Sequence, residues 1–359
     1  MLAELFSPLW SGEIKVNPSP STRNYRNKME FSFMHQVAAK NEDGTLTFAN
    51  AFGMKQAGRW DKALDLEECG IFSEKAGPLL KSVREWAHSS GEEFYDLRRH
   101  NGSLRHLLVR EGKNTGEALV VLFSAKPLKD NAPFIKAVEA VYPDAGIFWA
   151  LNAGVSDVAA AAELRHLQGP QFLRETLNVG GKTIEARISP RSFFQTNTNA
   201  AALIYSHARA YAQKLQPKVL YDLYGGAGMF SLACFDYAQK CICVECVPDS
   251  VSDGRANAAL NHADIEFHVS ATEDFLQYPP GDMAEAFCIA DPPRAGMHPK
   301  AVAALLASPP PKLLYVSCNP KSLERDLKAL GQRYRIEYIE GFDLFPHTPH
   351  VETVAALTL

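Results

Sequence analysis

The sequence predicts an α/β fold in two domains, a C-terminal doubly wound, Rossmann-like sheet preceded by an α+β domain. Three observations lead there. From Lys218 to Leu359, short runs of β-formers alternate with helical spacings, as they do when strands lie side by side with helices between them. The first of these runs ends in a glycine-rich turn, Tyr224-Gly225-Gly226-Ala227-Gly228-Met229. Finally, 359 residues, 46% of them apolar, exceed one average domain and suffice for two cores.

Composition narrows the function classes. The net charge of −4 does not announce a nucleic-acid partner, although a local basic patch remains compatible with it. Seven cysteines without regular spacing do not form a disulfide framework and fit a reducing cytoplasm. No apolar run reaches the ~18 residues of a membrane span. The start, Leu2-Ala3-Glu4-Leu5-Phe6, lacks the basic region of an export signal, so a soluble protein is expected.

Taken in order, residues up to about Pro20 are rich in Pro and Ser and read as an irregular lead-in. Tyr25 to Phe33 alternates, with Tyr25, Asn27, Met29, Phe31 and Phe33 on one face of a strand. The other face carries Arg26, Lys28, Glu30 and Ser32, a solvated face or one that grips RNA phosphates. Leu104–Arg110 and Glu117–Phe123 flank Gly112-Lys113-Asn114-Thr115-Gly116 as a hairpin, and Gly77–His88 and Ala132–Val141 have helical spacing. This mixed domain extends to about residue 189.

Asn197 to Leu215 reads as a helix stopped by Pro217. Strands follow at Val219–Leu223, Cys241–Glu245, Ile265–Val269, Ala286–Ala290, Lys312–Ser317, Tyr334–Ile339 and Val351–Leu359, and helices at Phe230–Tyr237, Pro248–Asn261, Pro299–Leu306 and Lys321–Leu330.

Chemistry-bearing residues gather where these strands end. Leu313-Leu314-Tyr315-Val316-Ser317 breaks off at Cys318, because Asn319-Pro320 cannot continue a ladder. The thiol is thus set at the carboxyl end of a strand, the edge where open α/β sheets bind ligands, and is either a small buried hydrophobe or a nucleophile. Gly225 and its neighbours let a ligand approach the backbone, and Glu245, about twenty residues on, can hold ribose hydroxyls. The turn does not match G-x-G-x-x-G, so S-adenosylmethionine fits better than a pyrophosphate-bearing dinucleotide.

Asp291-Pro292-Pro293-Arg294 puts a carboxylate at a third strand end, either in a rigid loop or at a site. Cys241-x-Cys243-x-x-Cys246 overlaps a strand and lacks a fourth ligand, so these three are assigned to the core and no metal is expected. Glu352 interrupts an apolar final strand, which is costly without a task; a buried carboxylate with raised pKa accepts protons well.

Taken together, the chain resembles the RNA uracil-5-methyltransferase family. The resemblance rests on Tyr25-Arg26-Asn27-Lys28, Ser192-Phe193-Phe194-Gln195-Thr196-Asn197, Asp222-Leu223-Tyr224-x-Gly226, Asp291-Pro292-Pro293-Arg294, Ser317-Cys318-Asn319-Pro320 and Phe345-Pro346-His347-Thr348-x-His350-Val351-Glu352. It covers most of the chain. It implies a seven-stranded methyltransferase sheet in residues 190–359, with residues 1–189 as the RNA-recognition domain.

It further implies that Gln195, Tyr224, Gly225, Glu245 and Asp291 hold S-adenosylmethionine, that Cys318 is the nucleophile and that Glu352 is the general base. Arg26, Lys28, Phe193 and Arg294 are then candidates for contact with RNA, ribosomal or transfer, and the protein is expected to be monomeric. Members often carry asparagine where Met229 stands and a four-cysteine iron–sulfur centre, yet only Cys69 precedes residue 200, so no cluster is expected. Two alternatives stay open: an RNA cytosine-5 methyltransferase, though these place a Pro-Cys where Pro293-Arg294 stands, and a non-catalytic RNA-binding or folding protein.

Overall fold

The computed structural model describes residues 2–40, 43, 45–56, 58, 59, 63–155 and 162–359. The chain divides into two compact units, one made of Met1–Thr22 with Thr176–Leu359 and the other of Arg23–Glu175. The second is therefore an insertion in the first. Among the described residues no helix is long and apolar enough to cross a membrane.

The inserted unit is α+β, as its patterning predicts. Its strands lie in the order Ala63–Asp65, Leu46–Lys55, Lys28–Lys40, Leu104–Glu111, Ala118–Ser124, Gly146–Leu151, Glu163–Gln168. Neighbours run antiparallel except for the parallel pair Ala118–Ser124 and Gly146–Leu151. The alternation from Tyr25 holds as far as Phe31: Tyr25, Asn27, Met29, Phe31 and Phe33 are all buried and Arg26, Lys28 and Glu30 half-exposed, but Ser32, expected on the polar face, is buried against His106. Helix Ala76–Ser89 buries Leu79, Leu80, Val83, Trp86 and Ala87, one stripe at helical spacing. These side chains share a core with Phe134 and Val138 of helix Ala132–Glu139 and with Cys69.

The other unit carries an eight-stranded sheet among its described residues, one strand more than the seven expected. Its order is Lys15–Asn17, Arg335–Phe342, Glu352–Thr358, Lys312–Ser317, Ala286–Ala290, Val219–Leu223, Lys240–Glu245, Glu266–Val269. All neighbours are parallel except Glu352–Thr358, which runs against both of its partners. The extra strand comes from the segment read as an irregular lead-in. Lys15–Asn17 pairs with Glu340, Gly341 and Phe342, and the short helix Leu2–Phe6 buries Leu2 and Phe6 in this unit's core.

The boundary expected at 189/190 is displaced for a similar reason. A hairpin joins Leu173–Val179 to Lys182–Ile188, and its second strand is tied to helix Pro248–Leu260. Glu185 N–H donates to Asn261 Oδ1 at 2.9 Å and Arg187 N–H to Asn257 Oδ1 at 2.8 Å. From Val219–Leu223 the chain winds outward through Lys240–Glu245 and Glu266–Val269, then returns to Ala286–Ala290 on the other side. Strand order therefore reverses between Val219–Leu223 and Ala286–Ala290, and a crevice opens beyond their carboxyl ends.

Candidate active site

Cys318 owes its position to a turn that its neighbours hold closed. Strand Lys312–Ser317 is buried along nearly its whole length, and Ser317 Oγ accepts the Asn319 N–H at 3.1 Å. Asn319 then caps helix Pro320–Leu330, its Oδ1 accepting the Lys321 N–H at 3.2 Å, with Pro320 opening the first turn. The half-buried thiol sits between strand and helix.

The same helix fixes the loop that bears Asp291 and Arg294. Asn319 Nδ2 donates to Arg294 O at 2.9 Å and Arg325 Nη2 to Ala295 O at 2.8 Å. The Asp326 carboxylate accepts from Met297 N–H at 2.8 Å and Tyr315 O–H at 2.6 Å. One buried acid thus locks the exit of one strand to the body of the next.

The last strands bring Glu352 near the thiol. Ser317, the end of its strand, pairs with Thr353 across antiparallel strands; Cys318 and Glu352 are the next residues outward, both line one cavity, and the Glu352 charge acts on the thiol. Glu352 is only 3% exposed, and among the described residues its Oε2 has no hydrogen-bond partner. Burial, reinforced by the Asp291 charge and opposed by Arg294, pushes its carboxyl up to about 8.

Two more carboxyls continue inward. Asp291 is pushed up to about 7 by burial and by Asp222, against a hydrogen bond from Gln195. Asp222, fully buried, is pushed up to about 6 by burial, although its Oδ2 accepts from Ser231 N–H at 2.9 Å and Ser231 Oγ–H at 2.8 Å. Burial also raises the Cys318 thiol, as do Glu352 and Asp291, while Arg294 hydrogen-bonds it and pulls the other way. Asp291 thus raises both Glu352 and the thiol, with Arg294 opposing it at each.

The glycine turn forms the other wall. Tyr224 adopts a left-handed backbone (φ 60°), followed by Gly226 (φ 55°) and Gly228 (φ 74°). A Cβ at Gly225 would overlap Cys243 Sγ and press on Asp222, so only glycine packs there; at Gly226 it would meet nothing, leaving that backbone open to a ligand. Glu245 ties the turn down, accepting Gly226 N–H at 3.1 Å and Val247 N–H at 2.7 Å. The segment Phe193–Thr196 is pinned at both ends. Ser189 Oγ donates to Asp253 at 2.8 Å on one side, and Asn197 on the other caps helix Thr198–Leu215 and donates to Leu344 O at 2.9 Å.

Between these walls lies a cavity of about 960 Å³. Cys318, Glu352, Gln195, Tyr224, Gly225, Glu245, Asp291, Phe193 and Arg294 all line it. Phe193 is 63% exposed, an uncovered ring. Arg26 and Lys28 belong to the inserted unit, where Arg26 Nε donates to Lys28 O at 3.3 Å; burial and Arg110 hold the Lys28 ammonium below its usual range. Cys241 and Cys243 are buried as read, but Cys246 is exposed and lines the cavity, because the strand ends at Glu245 and the chain turns outward.

Sequence reasoning gave no role to Asp222, Tyr205, Phe230 or Phe345. The last three line the cavity, and Asp222 lies behind its glycine wall. For Asp222 a signal exists, a carboxylate inside an apolar strand, the same signal that singles out Glu352.

A doubly wound sheet whose crevice gathers a glycine turn, a carboxylate at the next strand end and three stacked acids defines a Rossmann-like methyltransferase. Comparison with known proteins agrees. The model of the tRNA (uracil-5-)-methyltransferase family matches residues 1–279 and 281–358, and the chain belongs to that family. An uncharacterized RNA methyltransferase of Clostridium tetani is 33% identical over 358 residues, covering 96% of this chain and 74% of the relative. The tRNA (uracil(54)-C(5))-methyltransferase of Pyrococcus abyssi is 29% identical over 348 residues, 96% of this chain and 76% of that protein. The crystal structure of the Pyrococcus abyssi enzyme in complex with S-adenosyl-L-homocysteine superposes with a TM-score of 0.77 at 28% identity, covering 99% of this chain and 81% of that one.

Proposed function

We propose that the protein methylates carbon 5 of a uridine in transfer RNA, with S-adenosylmethionine as methyl donor. The observation that carries this reading is that Cys318 and a buried, proton-hungry Glu352, each one residue outward from the pair Ser317 and Thr353, line one cavity. Carbon 5 of uracil is a weak nucleophile. Addition of the Cys318 thiolate to carbon 6 moves an electron pair toward carbon 5, which then takes the methyl group. Glu352 removes the proton left on carbon 5, and the returning pair expels the thiolate. Both faces of the ring must be reachable, so the base leaves its stack, and the exposed ring of Phe193 supplies a surface for it.

The donor supplies an electrophilic methyl on a positively charged sulfur. The residues fit it: Gly226 leaves the backbone open, Glu245 beside the glycine turn would meet the ribose, and Asp222, Asp291 and Glu352 provide negative charge that a sulfonium would draw out. Arg294, bonded to the thiol, favours the thiolate. Transfer RNA rather than ribosomal RNA is supported by the family description and the Pyrococcus relative.

The test is methylation of unmodified transfer RNA and ribosomal RNA transcripts, digested to nucleosides and resolved by mass. We expect 5-methyluridine in transfer RNA, and loss of at least a thousandfold in rate for Cys318→Ala. Appearance of 5-methylcytidine, or undiminished turnover by the Cys318 variant, would overturn the reading.

A further inference from the structure

The inserted unit carries a cleft of its own, of about 430 Å³, that the methyl-transfer chemistry does not use. It is lined by His35, Gln36, Phe48, Arg59, Arg98 and Arg99, among others. Its shape follows from a fault in a strand pair. The ladder between Lys28–Lys40 and Leu46–Lys55 slips between Met34 and Val37, so His35 and Gln36 bulge from it. Gln36 takes a left-handed backbone (φ 47°), held by its N–H donating to Asn50 Oδ1 at 3.1 Å, and His35 N–H donates to Tyr95 O at 3.2 Å. A non-glycine residue in that region is strained, and such strain gathers at ligand-binding segments.

Two features then converge on the bulge. Phe48 stands across the ladder from Ala38, whose methyl cannot cover it, and the ring is 57% exposed. Facing it is a loop in which the Asp96 carboxylate accepts the N–H groups of Arg98 at 2.8 Å and Arg99 at 3.1 Å and lies 3.8 Å from Arg99 Nε. The acid that lines the cleft is thereby engaged in holding the loop that presents Arg98 and Arg99. With Arg59, three permanent cations line the same cleft as an uncovered aromatic ring, in a chain whose net charge is −4.

We infer that this cleft is a second RNA contact, seating a backbone phosphate among the three arginines and stacking an unpaired base on Phe48. The inference rests on the reading of the protein as an RNA methyltransferase. Guanidinium forks match phosphate oxygens, and an exposed ring accepts any base. The cleft is lined by polar groups and open, as a nucleic-acid strand requires and an enclosed apolar ligand does not.

The test uses the full chain and unmodified transfer RNA, with binding measured by filter retention across a salt series and methylation by kcat and KM. For the double variant Arg98→Glu, Arg99→Glu we expect Kd and KM to rise at least tenfold and kcat at saturating RNA to stay within about twofold. The slope of log Kd against log salt should become shallower by roughly one to two, one for each phosphate that the protein no longer neutralises. Phe48→Ala should weaken binding at least fivefold with an unchanged salt slope, since stacking on one aromatic contributes ~1–3 kcal/mol. Lysine at both arginine positions should recover most of the affinity. All these side chains are exposed, so the fold should survive and thermal melting checks it.

Unchanged Kd and salt slope in the arginine and Phe48 variants would overturn the inference. A wild-type protein that binds RNA through this cleft but forms no 5-methyluridine would instead sink the proposed activity alone. One that binds no RNA would sink both.

Discussion

Glu352→Gln should leave the pH-dependent contributions of Asp222 and Asp291 to the chain's stability and remove that of Glu352. The folded carboxyl titrates near 8, against 4.5 for an ordinary glutamate, and burial is the main cause. Between those values the folded chain retains a proton that the unfolded chain has released. The residue is therefore neutral in its effect below about pH 4.5, costs progressively more as pH rises, and reaches its full cost above about 8. Each tenfold in proton affinity is about 1.4 kcal/mol, so the full cost is on the order of 5 kcal/mol, of which roughly 3 kcal/mol develops between pH 5 and 7.5. Glutamine does not titrate, and its buried amide adds only a constant. Urea denaturation of both proteins from pH 5 to 9 reads the difference, which should swing toward the variant as pH rises. Curves that stay parallel to within about 0.5 kcal/mol would refute the buried, proton-retaining carboxyl. The same variant, mixed with transfer RNA and S-adenosylmethionine, should accumulate a covalent RNA–protein adduct on denaturing gels, because the carbon 5 proton then has no acceptor. Absence of adduct with normal turnover would remove Glu352 from that role.

Three further outcomes are expected. S-adenosylmethionine should bind more tightly as pH rises from 6 to 8.5, since Asp222, Asp291 and Glu352 titrate near 6, 7 and 8 and their charge favours a sulfonium; S-adenosylhomocysteine, which lacks that charge, should show a shallower slope in calorimetry. Equal slopes would count against the acid stack. Gly225→Ala should lower stability by about 1–3 kcal/mol and weaken cofactor binding at least tenfold, since the new methyl has only Cys243 and Asp222 to displace; an unchanged melting temperature and affinity would show that the turn has slack. Asp326→Ala should cost about 2–4 kcal/mol in urea denaturation and lower kcat, because Met297 N–H and the Tyr315 hydroxyl lose their acceptor and the Asp291 loop its anchor. A fully active, equally stable variant would contradict that anchoring.

What could be read from the sequence followed physical contrast along the chain. Strands Val219–Leu223, Ala286–Ala290 and Lys312–Ser317 stand out because apolar runs end at glycine, Asp-Pro-Pro or Asn-Pro, and the structure gives them the same bounds. Leu46–Lys55 has no such contrast: Ala, Gly and Asn interrupt its apolar residues, and its ladder partners on either side make it a strand. Lys15–Asn17 is three residues long, shorter than any period can register, and its pairing lies more than three hundred residues away. Within the site, Cys318 and Glu352 each break a local pattern and so can be seen singly. That they line one cavity follows from the pairing of two antiparallel strands, Ser317 with Thr353, which no local pattern carries. Asp222 breaks a pattern as well, but its neighbours in sequence gave it no partner; Ser231, nine residues on, becomes one only when the glycine turn folds back.

The inserted unit and the early edge strand have a consequence for the order in which the molecule is made. Lys15–Asn17 leaves the ribosome before any other strand of the catalytic sheet, and its partner Arg335–Phe342 nearly last. Arg23–Glu175 is complete in between and can fold while the catalytic sheet is still being synthesised. The strand that begins with Glu352 must then slot between Lys312–Ser317 and Arg335–Phe342. A chain made only as far as Val351 would carry Cys318 but leave a gap inside its sheet, and one strand insertion would both close the fold and complete the cavity.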